Sequence, residues 1–548
     1  MNRFASFIRA SGLPLALLAG TVLGLGSYFE TNDDAHLVLL LRARPTPELP
    51  YLPGLSRALA AAYAAAPAVP WYGLVLGLLL ALACGVLLAV LHGLLRPRLS
   101  SAATSGVLGF AFLVAGLEHW LWFSHARVAA LLALAGVLLA ATSRPRARLG
   151  LLQLLAGLVL VLVACLIRPG VVAVSLLAAA PAALWLAGTR AQSTAGAPAV
   201  RAAVVRGVLV VMAAVGVWGA VQAAVLLPAS AAMRTYRQRD ALLALALDYD
   251  LLRPAPRTPA DVRAVAAVKQ WLLGPEVLVR PANLRRAYAF DGAFFLLHAL
   301  PAKLSRSLAL LGRDYFPLLA LLAGGMALGQ RLLPPTRRWF WGTQLYYGGL
   351  MLGLASLLKL PPRLALPLLT GWVLASLAAL MGEGRAPRPL AGGEQRAVRL
   401  GLVVLAVLYA VKCGHRAVVL RAEQRAHVDA LARVAARHRG GVLLLGGADE
   451  LLKSLSPWQN YSLGAGPVVP LTGWPAHLPA TRAALRRLPP DPAEAQWLLA
   501  PELVPLLARV PLAGRAWQLT PTGQFSARPA LFWYNARPTS PSEPRERP

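Results

Sequence analysis

Long apolar stretches recur along the whole chain, and they constrain its fold more than any other feature. A helix of roughly 20 largely apolar residues crosses a hydrocarbon core about 30 Å thick. Only 14% of the residues are charged while 57% are hydrophobic, so a bilayer is the expected environment. We therefore predict an all-α polytopic membrane protein with about eleven transmembrane helices, near residues 11–29, 70–93, 103–123, 126–142, 149–167, 170–188, 204–227, 315–333, 339–358, 362–381 and 398–413.

The arginines between these stretches predict the orientation of the helices, because cytoplasmic loops are enriched in Arg and Lys. Every other loop is rich in arginine, and the remaining short loops carry only Arg127, Arg168, Lys359 and Arg363. This alternation predicts an N-terminus inside and a C-terminus outside. The arginines assigned to the inside are Arg3, Arg9, Arg96, Arg98, Arg144, Arg146, Arg148, Arg190, Arg201, Arg206, Arg331, Arg337, Arg338, Arg385, Arg388, Arg396 and Arg399.

The same topology predicts two domains. Residues 1–414 form the transmembrane domain, with long extracytoplasmic loops at 29–69 and 228–314. Residues 415–548 form a soluble extracytoplasmic C-terminal domain, which we expect to be a small α/β unit because "GGVLLLGG" is typical of a short buried strand between glycines.

Shorter elements are also expected within these regions. The second loop is predicted to hold helices near 232–248 and 260–273, and its apolar stretch "FDGAFFLLHALPAKL" is predicted to lie in the membrane interface. The C-terminal region begins with a helical pattern, "RAHVDALARVAARH", and ends in "TSPSEPRERP", whose composition favours disorder.

The net charge of +31 does not require a nucleic-acid partner. Much of the basic excess lies in the predicted cytoplasmic loops, where it sets topology and meets anionic lipid. Cys84 and Cys165 fall inside predicted helices and Cys413 ends the last one, so their spacing indicates neither a disulfide framework nor a zinc site.

The first predicted outer loop opens with an unusual group of acids. Glu30, Asp33 and Asp34 lie together in "GSYFETNDDAHLVLLL", in a chain with 23 acidic against 54 basic residues. One reading is structural, because Asn and Asp before "AHLVLLLR" suit the N-cap of a short helix. Two adjacent aspartates and a nearby glutamate exceed what one cap needs, so an active site is the other reading.

This acidic loop after the first helix of a protein with about eleven helices resembles the GT-C superfamily of membrane glycosyltransferases. The resemblance implies transfer of a sugar from a polyprenyl-phosphate carrier to a glycan, lipid or protein acceptor at the outer face. It also implies that Asp33 or Asp34 acts as catalytic base or helps to hold a divalent cation. "YFETNDD" further resembles a group of bacterial polytopic proteins, which implies a bacterial cytoplasmic membrane.

Two arginines on the predicted outer face extend the resemblance. Arg168 in "CLIRPG" resembles the basic-residue-plus-Pro segment that these enzymes place at the outer end of a helix. Arg363 in "LKLPPRLALPLL" resembles their basic, proline-flanked entry to a late helix. Guanidinium groups at headgroup depth suit a phosphate whose lipid tail stays in the membrane. The alternative is that each arginine only extends toward lipid headgroups.

Further candidates lie at the end of the third predicted helix, in "GLEHWLWFSH". Glu118 and His119 are expected in the outer part of the bilayer, where ionisable groups are costly unless they face a cavity or a partner. We consider both as substrate-binding residues, together with Glu30, and His119 as a ligand for phosphate or metal. The alternative is an aromatic belt formed by Trp120 and Trp122. Asp291, in "YAFDGAFF", is expected to cap a helix.

Two other functions fit a polytopic chain. A ligase or polymerase of lipid-linked glycans would use a His and an Arg of the second loop, for which His298 is the candidate. A transporter would place charges at the middle of the membrane and show repeated halves. The transferase hypothesis makes a distinct geometric prediction: Asp33 or Asp34 shares an outward-facing chamber with Arg168 or Arg363.

Overall fold

A computed structural model describes residues 16–17, 19–43, 45–143, 148–192, 197–227, 229–382, 392–488, 494–510, 512 and 515–539. Arg3, Arg9, Arg144, Arg146, Arg385, Arg388 and the C-terminal "SPSEPRERP" lie outside these residues. The chain is mostly helical, and it has a small sheet near the C-terminus. The prediction of this coarse architecture is confirmed.

The helices account for most of the described residues. Residues 19–25 are helical and precede a positive φ of 81° at Gly26. The helices that follow are, in chain order, α1 (Asn32–Arg42), α2 (Ser56–Ala65), α3 (Trp71–Leu95), α4 (Ser101–Leu121), α5 (His125–Ala141), α6 (Arg148–Ile167), α7 (Pro169–Gln192), α8 (Ala197–Leu226), α9 (Ala231–Leu243), α10 (Pro259–Lys269), α11 (Pro281–Ala287), α12 (Gly292–Asp314), α13 (Phe316–Gly329), α14 (Pro334–Leu357), α15 (Pro362–Gly382), α16 (Gly392–Arg437), α17 (Pro479–Arg486) and α18 (Val504–Leu507).

Eight helices in the described residues are long and apolar enough to cross a membrane: α3, α4, α6, α7, α8, α12, α15 and α16. All but α12 coincide with predicted spans. Two further predicted spans, α5 and α13, are shorter apolar helices. Nearly every side chain of α5 is buried, because α3, α6, α7 and α15 surround it. A helix that is apolar on all faces belongs in such a central position.

Two helices are longer than the stretches that the sequence predicted. The apolar stretch expected at the interface is the long helix α12, and its N-cap is Asp291, which accepts a hydrogen bond from the Phe294 amide as expected. Helix α16 has 46 residues and passes through the expected domain boundary at residue 414 without a break. The last predicted span and the following soluble helix are therefore one continuous rod.

The C-terminal sheet follows α16 directly. Its strand order is β6-β5-β7-β9-β8. The first three strands are parallel, and β9 and β8 form an antiparallel hairpin at the other edge. Their bounds are β5 (Val442–Gly446), β6 (Val468–Pro470), β7 (Ala495–Leu499), β8 (Ala516–Ala527) and β9 (Ala530–Thr539). The strand expected in "GGVLLLGG" is thus confirmed as β5.

Two short pairings fix the loops. The strands β1 (Tyr28–Phe29) and β2 (Trp122–Phe123) are parallel, and β3 (Arg253–Pro254) pairs with β4 (Tyr288–Ala289) inside the second loop. The C-terminal domain also packs closely on α3, because a Cβ atom at Gly73 would collide with the carbonyl oxygen of Pro457. The first loop is therefore held between the helical domain and the C-terminal domain.

Candidate functional site

The acidic loop is held in place by its backbone. The β1–β2 pairing joins it to the end of α4, and the amide of Glu30 donates to the carbonyl of Phe123 at 2.9 Å. On its other side, the amide of Phe29 donates to the carbonyl of Leu455 in the C-terminal domain at 2.8 Å. Helix α1 then begins at Asn32, so both aspartates lie in its first turn. Neither caps the helix, because its N-cap is Thr31, which makes no side-chain capping bond.

Asp34 is fully buried and anchors the loop. Its Oδ1 accepts hydrogen bonds from the Tyr72 hydroxyl at 2.7 Å, the His125 amide at 2.9 Å and the His125 ring at 2.8 Å. Burial alone would raise the pKa of Asp34, but the hydrogen bonds that its carboxylate accepts from His125 and Tyr72 outweigh burial and lower the pKa. A carboxylate enclosed in this way positions its neighbours and does not itself contact a substrate.

His125 carries the effect of Asp34 to Arg168. The Nη1 atom of Arg168 donates to Nε2 of His125 at 2.7 Å, so Nε2 is the unprotonated nitrogen and Nδ1–H points to Asp34. The guanidinium of Arg168 also lies 4.5 Å above the ring of Tyr51. Arg168 is therefore held by a hydrogen bond and by a cation–π contact.

Asp33 lies on the accessible side of α1. Its Oδ2 is 3.9 Å from Nη1 of Arg363, and the two side chains are 18% and 22% exposed. This separation is an ion pair but exceeds hydrogen-bond range, so the guanidinium keeps donors for another oxygen. Of the two aspartates, only Asp33 has a carboxylate that a substrate can reach.

Asp240 on α9 is a site residue that the sequence analysis missed. Its Oδ1 lies 3.7 Å from Nε2 of His477 in the C-terminal domain. Desolvation of the carboxylate and the nearby charge of Asp248 raise the pKa of Asp240 to about 6. Arg168 opposes this shift, and Asp33 adds to it. Its side chain is 42% exposed, so Asp240 is not enclosed in the core. Nothing in the polar pattern of α9 distinguishes Asp240 from an ordinary surface acid.

Glu30 has a structural partner. Its Oε2 accepts from Nε of Arg127 at 2.7 Å, and Arg127 is completely buried. From the sequence, Arg127 was expected only as a loop charge and Glu30 as a substrate-binding residue. The structure instead makes them one buried ion pair that braces the loop, because a buried guanidinium without a counter-charge is costly.

Glu118 and His119, which were expected to bind substrate, are both buried in the structure. Glu118 is buried, accepts a hydrogen bond from the Tyr409 hydroxyl at 2.7 Å and lies 3.9 Å from Nζ of Lys412. It therefore joins α4 to α16. His119 is fully buried, and its ring nitrogens have no hydrogen-bond partner among the described residues. The histidine of "GLEHWLWFSH" that contacts the acidic loop is His125, at the start of the next helix.

The C-terminal domain closes the other side of the first loop. Oδ1 of Asp449 accepts from Asn32 and lies 2.9 Å from Nε2 of His36, both on α1. Burial would raise the pKa of Asp449, but the bond and charge of His36 lower it. Trp474 packs its ring against His36 and Tyr51, at centroid distances of 6.3 and 5.1 Å. Segments from the first loop, the second loop and the C-terminal domain therefore meet beside Asp33.

The histidine of the ligase hypothesis and the expected metal ligands do not join this group of residues. His298, the candidate of the ligase hypothesis, is exposed on α12 and its ring packs against Phe294. Within the described ranges, no three His, Cys, Asp or Glu side chains gather as metal ligands. A divalent cation at Asp33 would need oxygen ligands from its substrate or from water.

Comparison with known proteins adds no relative. No protein-family model, no curated protein and no solved structure matches this chain. The roles of the site residues are therefore inferred from their own contacts.

Proposed function

We propose that this chain is a membrane glycosyltransferase that moves a sugar from a polyprenyl-phosphate carrier to an acceptor at the outer face of a bacterial cytoplasmic membrane. The observation that carries the proposal is the ion pair between Asp33 and Arg363, which lie far apart in the sequence. Arg168 lies over the ring of Tyr51, on which Asp33 and Arg363 also act electrostatically. Their convergence supports a binding site for a phosphate next to a reachable carboxylate.

Asp33 acts as the general base in this proposal. Its carboxylate takes the proton of an acceptor hydroxyl while that oxygen forms a bond to the anomeric carbon. The bond between this carbon and the phosphate oxygen breaks, and polyprenyl phosphate leaves with the electron pair. The configuration at the anomeric carbon inverts, and Asp33 later releases its proton to water.

Arg168 and Arg363 stabilise the departing phosphate. Charge-assisted hydrogen bonds from guanidinium groups suit this role, because the charge on the phosphate grows as the bond breaks. The Asp34–His125 pair fixes the direction of Arg168, and Tyr51 supports its other face. Preorganisation of this kind removes the need to reorient donors during the reaction.

An apolar groove supports a lipid-linked donor. It has a volume of about 870 Å³ and is bordered by α3, α4, α15 and α16, including the π-helical turn Phe112–Gly116. Arg363 lies in the first turn of α15, and Thr370 and Leu377 of the same helix line the groove. At about 1.5 Å per residue, the groove lies roughly 10–20 Å from Arg363, which an isoprenoid tail spans readily.

The orientation of the chain belongs to the same proposal. With about eleven helices, the N-terminus inside and the C-terminus outside, the first loop, the second loop and the C-terminal domain all face the exterior. The contacts among these three regions support that arrangement, since segments on opposite sides of a membrane have no route to one another.

The test uses membranes that contain the full chain and a panel of radiolabelled polyprenyl-phosphate sugars. We expect transfer of label to a membrane or envelope acceptor by the parent, and its loss in Asp33→Asn. The matched control is Asp429→Asn, which changes an exposed acid on α16. Equal transfer by the parent and Asp33→Asn would refute the proposed base, and no turnover of any donor would refute the transferase.

A further inference from the structure

A second cavity lies between the first loop and the C-terminal domain. It has a volume of about 1100 Å³. One wall is formed by α1 and α2, and the other by the ends of β5 and β6 together with residues 461–467. We call this cavity the loop cleft. Nothing in the mechanism proposed above uses it.

The loop cleft begins one helical turn from the proposed base. Asp33, His36 and Leu40 follow one another along one face of α1, because residues three and four apart are neighbours on a helix. His36 and Leu40 line the cleft, and one turn of helix rises about 5.4 Å. The end of the cleft at His36 therefore lies about one helical turn from Asp33.

The lining of the loop cleft suits an uncharged polar chain. No Asp or Glu contributes to it among the described residues, and its two basic side chains are already engaged. His36 is bonded to Asp449, and Arg42 donates to the carbonyl of Tyr461 at 2.6 Å. The remaining wall is rich in Leu, Pro and Ala, and it also presents backbone carbonyls, hydroxyl groups and tyrosine rings. Such a wall offers carbonyl acceptors and ring faces to a ligand with many hydroxyl donors.

We propose that the loop cleft binds a neutral glycan chain, which is the acceptor whose terminal hydroxyl reaches Asp33. This inference rests on the transferase proposed above, because it assigns the acceptor of the same site. It also gives the C-terminal domain a role, since residues 461–470 supply one wall of the cleft. The first loop supplies both the base and the opposite wall.

The experiment separates acceptor binding from donor chemistry. Ala61 on α2 is exposed and lines the cleft, so Ala61→Trp places an indole ring inside it. Ala58→Trp is the matched control, because Ala58 is exposed on the same helix and is not part of the lining. Both variants are assayed in membranes with the labelled donor. Transfer to products and release of free sugar by water are measured together.

We expect Ala61→Trp to lose transfer at least tenfold while release of free sugar stays within twofold of the parent, and Ala58→Trp to keep both. Transfer by Ala61→Trp equal to that by Ala58→Trp would overturn the assignment of the cleft. Products of the parent that bind an anion exchanger after removal of the lipid would overturn the neutral acceptor. If the parent neither transfers nor hydrolyses any donor, the transferase itself fails, which is a different result from either of these.

Discussion

The two adjacent aspartates give the sharpest prediction, because the same isosteric change has opposite consequences at each. Asp34→Asn keeps the Oδ1 acceptor but removes its charge. Three hydrogen bonds to a charged acceptor then become neutral ones, with a loss of roughly 1 kcal/mol each. We expect a decrease of about 3 kcal/mol in the free energy of unfolding. Asp33→Asn removes only a partly exposed ion pair at 3.9 Å, with an effect of about 0–1 kcal/mol.

The rate of transfer should fall directly in Asp33→Asn and only indirectly in Asp34→Asn. Loss of a general base lowers the rate of transfer by about 10²- to 10⁴-fold, so Asp33→Asn should be inactive yet as stable as the parent. Asp34→Asn should be less stable and should raise the KM for the donor, because His125 no longer holds Arg168 in one direction. Thermal unfolding in detergent and initial rates of label transfer measure the two effects on the same preparations.

The pH dependence of stability separates these roles further. Because the pKa of Asp34 is lowered in the folded protein, its stabilising contribution is present above its ordinary value of about 4 and is lost as the pH falls. Asp34→Asn lacks this contribution, so the difference in melting temperature between it and the parent should shrink at acidic pH. A stable, inactive Asp34→Asn together with an unstable, active Asp33→Asn would refute the assignment of roles.

Three further outcomes follow from the site. Arg168→Gln and Arg363→Gln should each raise the KM for the polyprenyl-phosphate donor by about tenfold or more. The reason is that a charge-assisted hydrogen bond contributes roughly 1.5–3 kcal/mol. Arg338→Gln, at an exposed position, is the control. Asp240 has a pKa of about 6, so its ionisation should weaken donor binding as the pH rises from 5 to 7, and Asp240→Asn should bind with a low KM throughout. Asp449→Asn should loosen the C-terminal domain from α1, which hydrogen exchange of the β5 amides and limited proteolysis would detect.

The local and long-range parts of this fold differ in how well sequence predicts them. Apolar length predicted most of the long helices, because a membrane segment must satisfy its backbone hydrogen bonds internally and be apolar over a fixed span. The glycine-bounded run around Val442–Gly446 predicted a strand for an equally local reason. The interfacial position of α12 stays a prediction, since its apolar residues are mixed with Lys303, Arg306 and Arg313, a composition that suits an interface as well as a span.

The roles of the site residues depend on contacts that no local pattern contains. The sequence suggested that the acids of the first loop and Arg363 belong together, and the ion pair of Asp33 with Arg363 agrees with that expectation. It did not distinguish Asp33 from Asp34, because burial of Asp34 is produced by Tyr72 and His125 from two other helices. The sequence also showed no sign of Asp240, because only the approach of α9 to the C-terminal domain brings its carboxylate near His477.

The helix that carries both aspartates explains why one cannot replace the other. Adjacent residues of an α-helix point about 100° apart, because there are 3.6 residues per turn. If Asp33 faces Arg363 and the substrate, Asp34 must face the packed side of α1, where its buried Oδ1 fixes His125 and through it Arg168. Asp33, the proposed base, and Asp34, which fixes His125, are thus kept at a constant angle by the helix that carries both. In the proposed mechanism Asp34 therefore serves geometry alone, and a carboxylate moved from position 33 to position 34 would face the core.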